Sequence, residues 1–215
     1  MMRSFVARRI VPVVAVALVA AVPAVATTVM QMNLAEMCQR SAQIYRGTVL
    51  SATEGTVEAG GGQLAVVTYR LRVEEAFRGD IPVVKGMRIA EIQMLGKSKQ
   101  LRLGNLVRVS PLPVMPQLAV GRTYLVFTTQ PSAIGLSAIV GLGQGSFRID
   151  QAGKQEIAVN EVNNSGLFRD MAAPAAPAAP GARTLAAPSA SAAVAGGPIS
   201  YAELARQIRT VLGGL

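Results

Sequence analysis

Glu74 and Glu75 are the one adjacent acidic pair in a chain of 215 residues. Two carboxylates sharing a site can divide into a general acid and a general base, or hold a divalent cation. The pair lies in a segment that reads as a strand, where neighbours face opposite ways. They can therefore share a proton or a metal only if a bulge intervenes. A glycoside hydrolase needs two facing carboxylates; Glu74, Asp80, Glu91 and Asp150 are the acids on offer, and nothing in their spacing selects among them. No loop has the dense Asp/Asn spacing of a calcium site. Gly96-Lys97-Ser98 ends like a phosphate loop, yet Glu91 stands where that pattern needs its first glycine, and no helix signal follows. Gly141-Leu142-Gly143-Gln144-Gly145 has a dinucleotide-like spacing but falls between two strands, so a tight hairpin or bulged turn is expected.

The chain has no histidine and one cysteine, Cys38. That excludes a His-based metal site, a Ser-His-Asp or Cys-His hydrolase, a Cys-rich zinc site and an internal disulfide framework. A nucleophilic Cys38 would lack a base to raise its thiolate fraction. The expectation is no catalytic set, no metal set and no cofactor.

Hydrophobic residues make up 51% and charged residues 15%, which rules out wholesale disorder. Arg3, Arg8 and Arg9 precede an apolar stretch from Ile10 to Val22, then Pro23-Ala24-Val25-Ala26. This reads as a signal peptide over residues 1–26, with Thr27 as the new N-terminus and a periplasmic or secreted product. An uncleaved anchor is the alternative, and on this reading the one route to a membrane. Cleavage removes three of the 21 cations and none of the 12 acids, leaving +6. Lys97, Lys99, Arg102 and Arg108 form the densest basic region, either a solvated loop or a contact for an anionic partner such as a cell-surface polymer or acidic protein. Nucleic acid is not expected of an exported chain with 4% aromatic residues to stack on bases.

After a short lead over residues 27–32, residues 33–168 read as one mainly β domain. Asn33 and Glu36 form a capping pair for a short helix carrying Leu34, Met37 and Cys38 on one face, with Cys38 a buried thiol or an intermolecular disulfide. Strands are expected over Ile44–Ala52, Leu64–Val73, Met87–Met94, Leu106–Val109, Tyr124–Thr129, Leu136–Val140, Ser146–Asp150 and Glu156–Val159. Gly55 and Gly60-Gly61-Gly62 read as a flexible connection. Short strands at this spacing with little helix between them favour an antiparallel OB-like barrel or sandwich. Residues 169–198 form an Ala/Pro-rich disordered linker. Residues 199–213 read as an amphipathic helix, with Ser200 and Glu203 a second capping pair and Gly213 a stop signal. Its apolar face, Leu204, Ile208, Val211 and Leu212, must lie against its own barrel, a partner protein or a membrane.

The segments Ile44-Tyr45-Arg46-Gly47-Thr48-Val49, Thr68 to Gly79, Gly121-Arg122-Thr123-Tyr124-Leu125-Val126-Phe127 and Val140 to Phe147 resemble a group of uncharacterised secreted bacterial β-proteins. Their order is loosely similar to the OB-type barrel of netrin and metalloproteinase-inhibitor modules. The resemblance implies an accessory of a secreted protease. Inhibitors of that type present an N-terminal cysteine to the catalytic zinc, whereas Cys38 lies well inside this chain, so no functional residue carries over. The expected function is an exported, non-enzymatic binding module for an envelope or secreted protein. The alternative is a carboxylate-dependent envelope hydrolase acting on glycan. Open strand edges leave room for oligomers.

Overall fold

The computed structural model describes residues 30–96, 101–103, 106–108, 115–171 and 196–214. Residues 1–26, Lys97, Lys99 and most of the Ala/Pro tract lie outside them.

The first helix, α1 (Leu34–Arg40), forms where its caps predict. Asn33 Oδ1 accepts from the Glu36 N–H and Glu36 Oε2 accepts from the Asn33 N–H, each at 2.9 Å. Leu34, Met37 and Cys38 are buried. Arg78 Nη1 donates to the Cys38 and Ser41 carbonyls and closes the helix's other end.

Two long strands follow, β1 (Gln43–Ala59) and β2 (Gly62–Arg78), paired antiparallel. The expected break at Gly55 does not occur, because Thr53, Thr56 and Val57 favour extended backbone and Val66 packs beside the missing side chain. Gly60 and Gly61 alone make the turn, both with the positive φ that a two-residue hairpin demands. Next come β3 (Val83–Val84) and β4 (Met87–Leu95), then a separate two-stranded ribbon of β5 (Leu101–Leu103) and β6 (Leu106–Arg108). Then follow β7 (Thr123–Thr128), a 3₁₀ turn at Leu142–Gly145, β8 (Ser146–Ala152), β9 (Gln155–Asn160) and β10 (Ile199–Ser200), and the chain ends in α2 (Tyr201–Gly213). The expected strand at Leu136–Val140 is reduced to one bridge, Thr128 to Ile139. The Gly141–Gly145 motif lies before β8 as a 3₁₀ turn entered through left-handed Gly141, where the spacing predicts a tight hairpin or bulged turn.

Eight strands form one antiparallel sheet in the order β10-β9-β8-β7-β1-β2-β4-β3. The sheet is open, with β10 at one end and β3 at the other. Alternation along β7 separates two cores: Leu125 and Phe127 point to one face, Tyr124 and Val126 to the other. The first face is covered by α1 and α2, which supply Leu34, Met37, Leu204 and Ile208. On the second face Tyr45, Leu71, Ile92 and Met94 meet Leu118 and Ile139 from loops. A bond from the Ser137 N–H to the Gln93 carbonyl ties the loop after β7 back to β4.

The C-terminal helix forms as its periodicity predicts, but its expected cap does not. Ser200 makes no side-chain cap bond, since its backbone is already paired to Ile157 as part of β10. The Glu203 carboxylate turns instead to Arg206 and Gln207, where a charge-assisted bond outweighs a neutral one.

Candidate functional site

The densest set of charged contacts sits on the helix-covered face, around Arg46. Its position follows from a register shift. Arg46 pairs with Glu75 and Gly47 with Val73, so Glu74 is the extra residue of a bulge in β2. A Cβ on Gly47 would stand 2.7 Å from the Arg72 carbonyl oxygen, so the close approach beside the bulge needs glycine there. The bulge is the exception that plain alternation would forbid: it brings Glu74 and Glu75 to the same side.

Arg46 uses its whole guanidinium. Nε donates to Glu74 Oε2 at 2.9 Å, and Nη1 and Nη2 donate to the two oxygens of Glu156 on β9 at 2.7 Å each. Its flat face lies 4.5 Å from the Tyr201 ring centre at the start of α2. Tyr201 Oη donates to Glu75 Oε2 at 2.5 Å, and Arg209, about two turns further along the helix, also binds Glu75. Thr48 Oγ1 donates to Glu74 Oε1 at 2.7 Å. Two strands of the central hairpin, β9 and the C-terminal helix are thus joined through one cation.

This arrangement holds charge in place rather than moving protons. Glu74, Glu75 and Glu156 each have an arginine partner, and the hydrogen bond from Arg46 holds the Glu156 carboxyl below its ordinary range. A general acid needs the opposite shift. Burial, aided by the bond to Glu75, raises the Tyr201 hydroxyl, which keeps it a donor. Because the Glu156 value is lower in the folded chain, its contribution is present above the ordinary value of 4.5 and is lost as pH falls through the depressed value. Denaturation midpoints across a pH series are therefore expected to stay level near neutrality and fall on acidification below about 4.5. A Glu156→Gln variant should flatten part of that fall.

The other acids singled out by sequence are scattered. Glu91 pairs with Arg70 on the exposed sheet surface, half-buried Asp150 with Arg148 and Arg122, and Asp80 is exposed just beyond the end of β2. Surface grooves among the described residues are shallow. One of about 380 Å³ is lined by Gln43, Ile81, Val84, Ile89 and Glu91. Another of about 280 Å³ is lined by Tyr124, Ser146, Arg148, Asn160, Glu161 and Asn163. Each contains a single carboxylate, so neither presents the facing pair a glycosidase uses. Among the described residues no group of three metal-ligating side chains occurs.

Of the anion-contact candidates, Lys97 and Lys99 lie outside the described residues, and Arg102 and Arg108 belong to the β5–β6 ribbon. The partner-contact candidates are placed inside the molecule's own body. Leu204 and Ile208 are fully buried in the first core, and Val211 and Leu212 pack half-buried against it. The reason is complementarity at home: α2 lies against α1 and β9, and that face is no longer available to a partner. The tail is also fastened where it returns, since Asn164 Nδ2 donates to the Gly197 carbonyl and the Gly197 N–H to the Asn163 carbonyl, both at 2.7 Å.

Cys38 is fully buried, and burial raises its thiol to about 12, partly offset by the Arg78 cation. The folded protein is expected to resist alkylation at pH 8 and to react fully in denaturant, as a timed thiol titration would record.

Sequence reasoning missed Arg46, Glu156, Tyr201 and Arg209. The available signal was a cation at the centre of an otherwise apolar strand, Ile44-Tyr45-Arg46-Gly47, which a buried sheet tolerates only with partners. No helix among the described residues is long and apolar enough to cross a membrane. No family model matches the chain, and no curated protein or solved structure matches it either.

Proposed function

We propose that this protein is an exported binding module that acts by contact, accompanying a secreted protease or another envelope protein, on a curled sheet of the OB type. The observation that carries the reading is the state of its acids. The clustered carboxylates Glu74, Glu75 and Glu156 are each held by an arginine, and the Glu156 carboxyl is shifted toward the ionised form. The single thiol is sequestered. The OB-type reading draws support from a second core held between the sheet and the loop residues Leu118 and Ile139.

The anionic character of the partner follows from where the charge lies. From Ile92 to Ile149 there are six cations and no acid, which equals the whole +6 excess of the chain without residues 1–26. A partner with an acidic surface would be steered to this segment. The test is capture from envelope extract with the full chain as bait, compared with Lys97→Gln/Lys99→Gln/Arg102→Gln/Arg108→Gln. A protein retained by the first and released by the second supports the reading. Turnover of glycan by the purified chain, abolished by Glu74→Gln, Glu91→Gln or Asp150→Asn, would replace it with the hydrolase alternative.

A further inference from the structure

We propose that the tip of the β3–β4 hairpin is a docking element for an anionic lipid surface, in addition to any protein contact and independent of residues 1–26. The tip is tight. Val84 pairs with Met87 across a two-residue turn in which Lys85 (φ 51°) and Gly86 (φ 77°) both take left-handed backbone.

Its side chains are unusual for a soluble edge. Val83 is 67% exposed, Val84 41% and Met87 46%. Val83 and Val84 are neighbours in a strand and point to opposite sides, so their joint exposure puts apolar groups on both sides of the hairpin, Val84 at the rim of the groove it shares with Gln43 and Ile89. Natural sheet edges ordinarily carry charge or proline in place of such groups. Val84 and Met87 share one side, Val83 and Arg88 the other.

Charge completes the pattern. Lys85 and Arg88 are exposed and have no ion-pair partner among the described residues. Lys85 occupies a left-handed position where Gly or Asn would be less strained, and it places a cation at the apex. Of the nearby acids, Glu91 is taken by Arg70, and Asp80 lies at the base, beyond Pro82. Apolar side chains flanked by free cations match the boundary between acyl chains and anionic headgroups. An added peptide strand fits less well, because a two-residue edge offers few backbone groups to pair.

The chain has no tryptophan, so Val84→Trp in the full-length protein is a unique reporter. Val120→Trp, at another exposed apolar site, is the control. On vesicles of mixed phosphatidylcholine and phosphatidylglycerol, the Val84→Trp emission should shift to the blue and be quenched by brominated acyl chains, while Val120→Trp stays unquenched. Adding Lys85→Gln and Arg88→Gln to the reporter should weaken vesicle partitioning about fivefold per cation, about 25-fold for both. Unquenched emission, equal quenching at both reporters, or equal quenching on pure phosphatidylcholine would overturn the proposal. So would a blue shift without lipid that grows with protein concentration, which would make the tip a self-association surface. All substitutions are on exposed positions, and a preserved thermal transition confirms that each variant is folded.

Discussion

A chain ended at Phe168 is expected to lose its cooperative fold rather than a mere accessory contact. The C-terminal helix enters the first core through Tyr201, Leu204, Ala205 and Ile208, and Leu204 and Ile208 are fully buried. At about 1.5–3 kcal/mol for each large apolar side chain, their loss approaches or exceeds about 5 kcal/mol. That is the lower end of the total stability of a domain, about 5–15 kcal/mol. The cut also exposes Leu34, Met37 and Ala158 to water, frees the edge of β9 and leaves Glu75 without its two helix partners. The expected record is a broad or absent thermal transition with strong binding of a hydrophobic dye. A synthetic peptide of residues 196–215 should restore the transition in a concentration-dependent way, as mass action requires. A shortened chain melting within a few degrees of the intact one would show that the helix is a passenger. Partner capture therefore has to be probed with substitutions on the exposed side of α2, such as Arg206 and Thr210, and not by truncation.

Much of the fold could be read from local signals. The Asn33/Glu36 capping box lies within a few residues of sequence, and both bonds form. The two-residue turn between β8 and β9, Gly153-Lys154 with Gly153 at φ 62°, likewise follows from a local glycine. What could not be read depends on cross-strand geometry. Gly55 resembles a breaker until its opposite strand, with Val66 at 3.8 Å, is known. Ser200 resembles a helix cap until β9 claims its backbone. Alternation places Glu74 and Glu75 on opposite faces, and a single skipped residue opposite Gly47 undoes that. The Arg46 cluster draws on strands 28 and 110 residues apart in sequence and on a helix beyond the Ala/Pro tract. Spacing along the chain carries no trace of such a meeting.

The same cluster sets the second large expectation. Arg46→Met keeps length and apolar stem but removes the cation, and should destabilise the protein by about 2–3 kcal/mol. Arg46 is 17% exposed while Glu74 and Glu156 are 32% and 40% exposed, so the stranded acids can recover water and the loss stays below that of a fully buried pair. Glu156→Gln should cost less, about 1 kcal/mol, because Gln can still accept one bond from Arg46 and Glu74 remains paired. Combining the two should give less than the sum of the single changes, with a coupling of about 1 kcal/mol, since both remove the same bidentate contact. Denaturant titration of the four proteins measures this directly. Additive effects, or an Arg46→Met variant within about 0.5 kcal/mol of the parent, would mean that burial alone holds the helix and that the ion network is surface decoration. If the coupling is present, Arg46 is the residue through which β1, β2, β9 and α2 become one cooperative unit.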